Sequence, residues 1–407
     1  MTILFLGIDL NRNDLLKNFT LLKHRASCFF LENFSPLEIS GSMAGEIGKI
    51  IYWKDFSDAF ELIESIKPDK IVYALIDNYY HFALFFAARQ NNIPIFYIDH
   101  GIRFEEEIEQ VYGMYHKKGL AFSINKSYPK AALGYYKHRF FRKTVKKLPK
   151  AEGKILKKLF IDRTILDYGP FMIKDGHYLQ PDDFIIYSEE TWKYHKFLFG
   201  FTSRKPRIQF TGIPALDEFT ELGKVPFGHK KPGVLYIDQP LHEQNLLGWK
   251  RESKIEHLRM LASIVHEQGY KLYVKPHPWN ETLYDEAMAE SKEFEVLNEM
   301  DFTFIQNNIR VVIGYNSTLL LGFCALENFL TICITDHPVI FTPNLSQGIV
   351  KYHVAVEVKN INELGNVLKY PANYMKDKTD HLKEFHSGMM FSFDGMALKR
   401  TLDYLVQ

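Results

Sequence analysis

Short apolar runs alternate with longer amphipathic stretches along this chain, and the alternation occurs in two series. In the first, Ile3 to Gly7 reads as a strand closing on glycine. Lys70 to Ile76 reads as a second strand, Tyr79 to Gln90 as a helix, and Ile93 to Ile98 as a strand running into Asp99-His100-Gly101. Strand, helix and strand at this spacing form a βαβ unit and predict a parallel sheet. Asp183 to Tyr187 continues the series as a strand, Glu189 to Phe199 as a helix, and Ile208 to Gly212 as a strand passing into a turn. The Pro, Gly and Lys residues of 223–233 then read as a linker. The second series places strands at Val234–Ile237, Lys271–Val274, Val311–Ile313 and Phe329–Ile334. Its helices fall at Lys254–Gln268, Thr318–Leu326 and Gly395–Leu405. The expected architecture is α/β, with two Rossmann-like domains, 1–222 and 233–390, facing a central cleft, followed by a C-terminal helix in 391–407.

A chain of 407 residues has room for two such cores. Hydrophobic residues make up 46% and charged residues 24%, as in an ordinary globular protein. The formal net charge of +1 removes any overall nucleic-acid signature. Cys28, Cys324 and Cys333 lack metal-ligand spacing and cannot all pair, so a reducing, cytoplasmic setting is expected. The N-terminus has no basic leader, and no apolar run is long enough to span a bilayer.

One region departs from this balance. Between about 116 and 158, Lys137, Arg139, Arg142, Lys143, Lys146, Lys147, Lys150, Lys154, Lys157 and Lys158 stand against Glu152, with Tyr135, Tyr136, Phe140 and Phe141 interleaved. This helical insertion suits either a solvated face or an anionic membrane surface, which would make the protein peripheral on the inner face of the cytoplasmic membrane.

Ligands of parallel α/β sheets bind beyond the C-terminal ends of the strands, and that rule selects a few turns. In Lys275-Pro276-His277-Pro278 two prolines hold one imidazole at a strand end. It can donate a hydrogen bond or proton to a departing phosphate, with Lys275 adding charge; the same pattern also suits a stiff loop with an incidental histidine. Tyr315-Asn316-Ser317-Thr318 opens a helix, as phosphate sites and ordinary Ser/Thr caps both do. Glu327, Gln239 and Gly212 complete the candidate nucleotide contacts. Asp99 and His100 are candidate bases at the first domain's strand end. Asp9, Asp77 and Asn78, near two other strand ends there, are candidate acceptor-side groups. Asp182-Asp183, after a proline, reads as a turn rather than a metal pair. No Gly-rich dinucleotide loop or P-loop is present, which weighs against dehydrogenases and NTPases.

Taken in order, Asp99-His100-Gly101, His277-Pro278 and Ser317-Thr318 resemble the motifs of bacterial sialyltransferases, polysialyltransferases and their capsule and lipooligosaccharide relatives, with Asp238-Gln239-Pro240-Leu241 resembling the start of their second domain. The resemblance implies a GT-B glycosyltransferase that needs no metal or other cofactor. It would move a nonulosonic acid from a CMP-sugar to a glycan or glycolipid with inversion. It also implies that Asp99 is the base, that His277 assists CMP departure and that Ser317 and Thr318 bind the phosphate. His100 stands where the family carries a second acidic residue. Related acid sugars such as Kdo fit the same chemistry. A CDP-alcohol-dependent polyol-phosphate transferase and a non-catalytic glycan- or lipid-binding protein are the rival readings.

Overall fold

A computed structural model describes residues 1–10, 13–32, 42–75, 78–104, 131–162, 179–199, 206–222, 233–239, 249–277, 294–315, 317–335, 347–376 and 378–407. The chain forms two compact units: Met1–Pro214 together with Met396–Gln407, and Ala215–Gly395. The segment 223–232, expected as a linker, lies outside the described residues.

The first unit holds a seven-stranded parallel sheet in the order β3-β2-β1-β4-β5-β6-β7. Its strands are β1 (Thr2–Leu6), β2 (Ser27–Glu32), β3 (Lys49–Tyr52), β4 (Lys70–Tyr73), β5 (Ile95–Ile98), β6 (Asp183–Ile186) and β7 (Arg207–Phe210). Every residue of β4, β5 and β6 is buried, as expected of parallel strands covered on both faces. The chain starts at β1, builds outward to β3, then returns to add β4 on the other side of β1. The crevice between the ends of β1 and β4 is therefore the switch point of this sheet. Gly7 lies there with φ of 63°, and a Cβ on it would fall 2.0 Å from the Leu75 carbonyl oxygen. Only glycine permits these strand ends to approach so closely.

Helices α1 (Ala59–Ile66), α2 (Tyr79–Gln90), α3 (Ala131–Lys147), α4 (Lys150–Phe160) and α5 (Glu189–Phe199) are the longer helices of this unit before its last segment. The Asp58 carboxylate accepts from the Phe60 and Glu61 N–H groups and so caps α1. The helix at Ala397–Leu405 belongs to this unit too. Its Leu402 and Leu405 enter the core beneath β1. Lys70 Nζ donates to the Leu405 carbonyl at 2.9 Å and Tyr404 Oη donates to Asp183 at 2.6 Å.

The second unit holds a six-stranded parallel sheet, β10-β9-β8-β11-β12-β13. Its strands are β8 (Gly233–Ile237), β9 (Leu272–Lys275), β10 (Phe294–Val296), β11 (Ile309–Gly314), β12 (Leu330–Ile334) and β13 (Val356–Val358). The strand order turns back between β8 and β11. Here α6 (Arg251–Glu267) follows β8, and α7 (Thr318–Cys324) follows β11. A later helix, α8 (Lys378–Met389), donates from Lys378 Nζ to the Phe323 and Phe329 carbonyls at 3.1 and 2.8 Å. All three cysteines are buried and unpaired.

Strands β2, β3, β10 and β13 and helix α1 were not legible in the sequence. Of these strands, β3, β10 and β13 lie at sheet edges and have only three or four residues. Such lengths are too short to show a period.

Candidate functional site

Asp99 follows β5 at the C-terminal edge of the first sheet, and its side chain has no exposed surface. Both carboxylate oxygens are engaged. His195 Nε2 lies 2.7 Å from Oδ1, and the Tyr187 N–H donates to Oδ2 at 3.0 Å. The Tyr187 hydroxyl also donates to the Asp99 carbonyl, and the Asp99 N–H donates to Ile185 O. Asp99 therefore joins the end of β5 to the end of β6 and to α5. The resemblance made Asp99 the base. In the structure that carboxylate is buried, and the His195 imidazole and the Tyr187 N–H hold it at the strand end. The next residue, His100, retains part of its surface.

His195 is the functional candidate that sequence reading missed. The helix carrying it was legible, but the partner is Asp99, distant in sequence and brought near by the pairing of β5 with β6. Tyr97 meets the His195 ring edge-on at 4.7 Å, and Phe184 and Tyr194 also pack on it. Gly101 was expected to serve the turn. Its φ is not left-handed, and a Cβ there would meet nothing within 4 Å.

The acceptor-side candidates divide. Asp9 is exposed just past β1, and Asn78 opens α2 beyond β4, so both belong to the switch-point edge. Asp77 lies outside the described residues.

In the second sheet, His277 follows β9 and is partly exposed. Lys275 Nζ donates to the Pro276 and Asn298 carbonyls at 3.1 and 3.0 Å. These bonds tie its ammonium to the turn after β9 and to the segment after β10. Ser317 caps α7, its Oγ accepting from the Leu319 N–H at 3.3 Å. A hydroxyl that accepts in this way still has a proton to donate. Thr318 is partly exposed at the first helical position, while Asn316 lies outside the described residues. Tyr315 is only 2% exposed and packs in the core rather than on the surface. Gln239 follows β8, and its carbonyl accepts from Lys254. Glu327 is exposed, and its carboxylate accepts from the Thr379 hydroxyl at 2.7 Å.

Gly212, the remaining candidate nucleotide contact, follows β7, the outermost strand of the first sheet, and its N–H donates to the Tyr187 carbonyl at 3.0 Å. Asp182 accepts from the Ile95 N–H, and Asp183 holds Arg207 and Tyr404. Among the described residues no group of three or more His, Cys, Asp or Glu is placed to hold a metal ion.

The basic insertion forms α3 and α4. Phe140 and Phe141 face inward, Phe140 meeting Trp53 edge-on at 4.9 Å. Tyr135 and Tyr136 are exposed beside the cationic residues. Only half of the interleaved aromatics therefore belong to a surface. Lys147 is also committed: it lies 2.7 Å from the buried Asp58. Among the described residues, no helix is long and apolar enough to cross a membrane.

The sequence model of the alpha-2,8-polysialyltransferase (POLYST) family matches residues 54–335, more than half of the chain. The chain belongs to the alpha-2,8-polysialyltransferase family. Its membership makes it a glycosyltransferase of sialyltransferase type, and the matched region contains Asp99, His195, His277 and Ser317. A search of curated proteins found no match. Among solved structures, the UDP-GlcNAc 2-epimerase of Neisseria meningitidis, bound to UDP-GlcNAc, is similar over 100% of both chains at 12% identity and a TM-score of 0.52. The calicheamicin glycosyltransferase is similar over 99% of this chain and 97% of its own, at 11% identity and a TM-score of 0.52. The wall teichoic acid polymerase TagF is similar over 100% of this chain and 87% of its own, at 12% identity and a TM-score of 0.50. At these identities the likeness concerns the fold, which is GT-B with two Rossmann-like domains.

Proposed function

We propose that this family member transfers a nonulosonic acid, sialic acid or a close relative, from its CMP-linked form to a glycan or glycolipid acceptor of a bacterial surface polysaccharide. Transfer is direct, with inversion and without a metal ion. The observation that carries the reading is the placement of His277 and Ser317–Thr318 on one edge of one parallel sheet. They follow β9 and β11, the two strands that flank β8. Two strand spacings separate them, roughly 10 Å, which suits different parts of one nucleotide sugar. In this reading Ser317 and Thr318 donate to the phosphate, and His277 stabilises the negative charge as the bond from that phosphate to the anomeric carbon breaks.

His100 is the base in this reading. It takes the acceptor hydroxyl proton as that oxygen bonds to the anomeric carbon. Asp99, held by His195 and Tyr187, fixes the turn on which His100 stands. Both aspartates of the 182–183 pair serve the first sheet, which supports the metal-independent reading. The exposed cations and tyrosines of α3 and α4 support peripheral docking on an anionic inner membrane face.

The decisive experiment incubates the protein with a CMP-nonulosonic acid and an oligosaccharide in excess chelator. The expected product gains one or more acid-sugar masses, contains no phosphorus and appears with free CMP. A phosphorus-containing product would replace this reading with polyol-phosphate transfer. Activity lost in chelator and restored by a divalent ion would remove metal independence. For the membrane, charge reversal at Lys143, Lys146 and Lys154 is expected to weaken binding to vesicles containing anionic lipid. Unchanged binding would remove the docking role. Lys147 is left intact so that its pairing with Asp58 does not confound the result.

A further inference from the structure

The switch point of the second sheet contains a cluster that none of the motif residues except Tyr315 describes. Ile237 of β8 pairs with Gly314 of β11, so Asp238 and Tyr315 leave adjacent strand ends. Trp249 and His257, the latter on α6, pack against Tyr315. Their ring centres are 5.0 Å apart in an edge-on arrangement, and Tyr315 lies 5.8 Å from His257 and 6.1 Å from Trp249. Tyr236 closes another side of His257 at 5.8 Å.

The polar groups of this cluster divide into two kinds. Lys254 and Asp238 are almost wholly buried and neutralise one another at 2.7 Å, and Lys254 also donates to the Gln239 carbonyl. That pair is complete. Trp249 Nε1 and His257 Nε2 are also buried, yet neither meets a hydrogen-bonding atom among the described residues. A purely apolar wedge would be better made from leucine or phenylalanine, since a buried polar atom without a partner destabilises the fold. Burial, helped by the Lys254 charge, pushes the His257 imidazole down to about 4, so it is neutral near pH 7.

The ligand chemistry follows from these groups. Lys254 is engaged by Asp238 and the Gln239 carbonyl, so its charge is not offered to a phosphate here. An indole N–H and a neutral imidazole nitrogen among three aromatic side chains suit a flat heterocycle with donor and acceptor edges. Open parallel sheets bind nucleotides at this strand-order reversal. We infer that Trp249 and His257 read the nucleobase of the donor, hydrogen-bonding its polar edge beside Tyr315, while the Ser317 turn takes the phosphate. The inference rests on the nucleotide-sugar reading above and specifies its base-recognition residues.

The test compares binding of CMP with binding of ribose 5-phosphate, which lacks the base, in the full-length protein and in Trp249→Phe and His257→Gln. Each variant is first checked for native circular dichroism. Expected is at least a tenfold loss of CMP affinity in each variant, with ribose 5-phosphate affinity unchanged. In the unaltered protein the Trp249 indole N–H resonance, assigned by its absence in Trp249→Phe, should move on adding CMP but not ribose 5-phosphate. This second readout holds even if His257→Gln fails to fold. CMP affinity within twofold of the unaltered protein in folded variants, or an indole resonance that CMP leaves in place, overturns the inference. Equal losses for CMP and ribose 5-phosphate would also overturn it, as they would indicate general disruption. If the unaltered protein ignores CMP but binds UMP, AMP or GMP, the CMP donor fails and the same comparisons are made with that nucleotide. Absence of binding by every nucleotide overturns both.

Discussion

Each unit carries one buried aspartate at a strand end, tied to a basic residue on a following helix. In the first unit Asp99 meets His195 on α5; in the second Asp238 meets Lys254 on α6. The partner differs in kind. Lysine offers donors and a fixed charge, so Asp238 and Lys254 form a structural ion pair that ties the end of β8 to α6. Histidine can hold a carboxylate through one nitrogen while neutral or charged. The turn after Asp99 is therefore tied to an imidazole, and it carries His100. Similar strand-end geometry thus uses two kinds of partner, an ion pair that ties β8 to α6 and an imidazole that ties β5 to α5.

The largest expected effect breaks the ion pair. Asp238→Ala leaves the Lys254 ammonium buried without its Asp238 carboxylate, and should destabilise the second unit by about 3–5 kcal/mol. Urea denaturation measures this; a loss below 1 kcal/mol would mean that the pair relaxes into water.

Next in size is His100→Ala, expected to lower kcat by roughly 10²–10⁴-fold with little change in urea midpoint. Full activity in that variant would return the base role to Asp99. Acid should weaken both units. Burial, with the Lys137 charge adding, pushes His81 in the first unit down to about 3, and His257 in the second unit is at about 4. Between pH 6.5 and 4 the unfolded chain binds protons that these folded histidines refuse. Stability is therefore full above pH 6.5 and falls as pH drops, by about 3 kcal/mol for each histidine at pH 4. Denaturation at stepped pH checks the slope, and His81→Gln should flatten the first unit's share.

His195→Phe removes one hydrogen bond to a buried carboxylate and should cost about 1.5–3 kcal/mol. It should also lower kcat more than it raises acceptor KM, as expected of a positioning residue. The smallest effect is Ser317→Ala, which removes the cap of α7 for about 1 kcal/mol. In the proposed reaction it also raises donor KM; an unchanged KM would leave Ser317 with the cap alone.

Much of this was legible before any coordinates. The two βαβ series, the strand ends at Ile98, Val274 and Ile313 and the three motif turns follow from period and punctuation, because buried parallel strands must be apolar and their ends must turn. Short edge strands such as Phe294–Val296 were not legible, since three residues carry no period. The basic insertion was legible as charge, but not in its facing. Phe140 enters the core and Tyr135 does not because the helix turns them apart.

The sequence by itself determined the fold class, the order of the motifs and the family they resemble. These depend on local pattern, which each segment carries within itself. The tertiary structure alone decided which motif side chains stay available. Asp99 pairs with His195, Lys275 with two carbonyls and the Gly212 N–H with Tyr187, while Trp249 Nε1 and His257 Nε2 are buried without a hydrogen-bond partner among the described residues. The physical reason is that hydrogen-bond satisfaction is set by partners far apart in sequence. A residue type announces what it can donate or accept, and only the packing of strands and helices settles whether that capacity is already used.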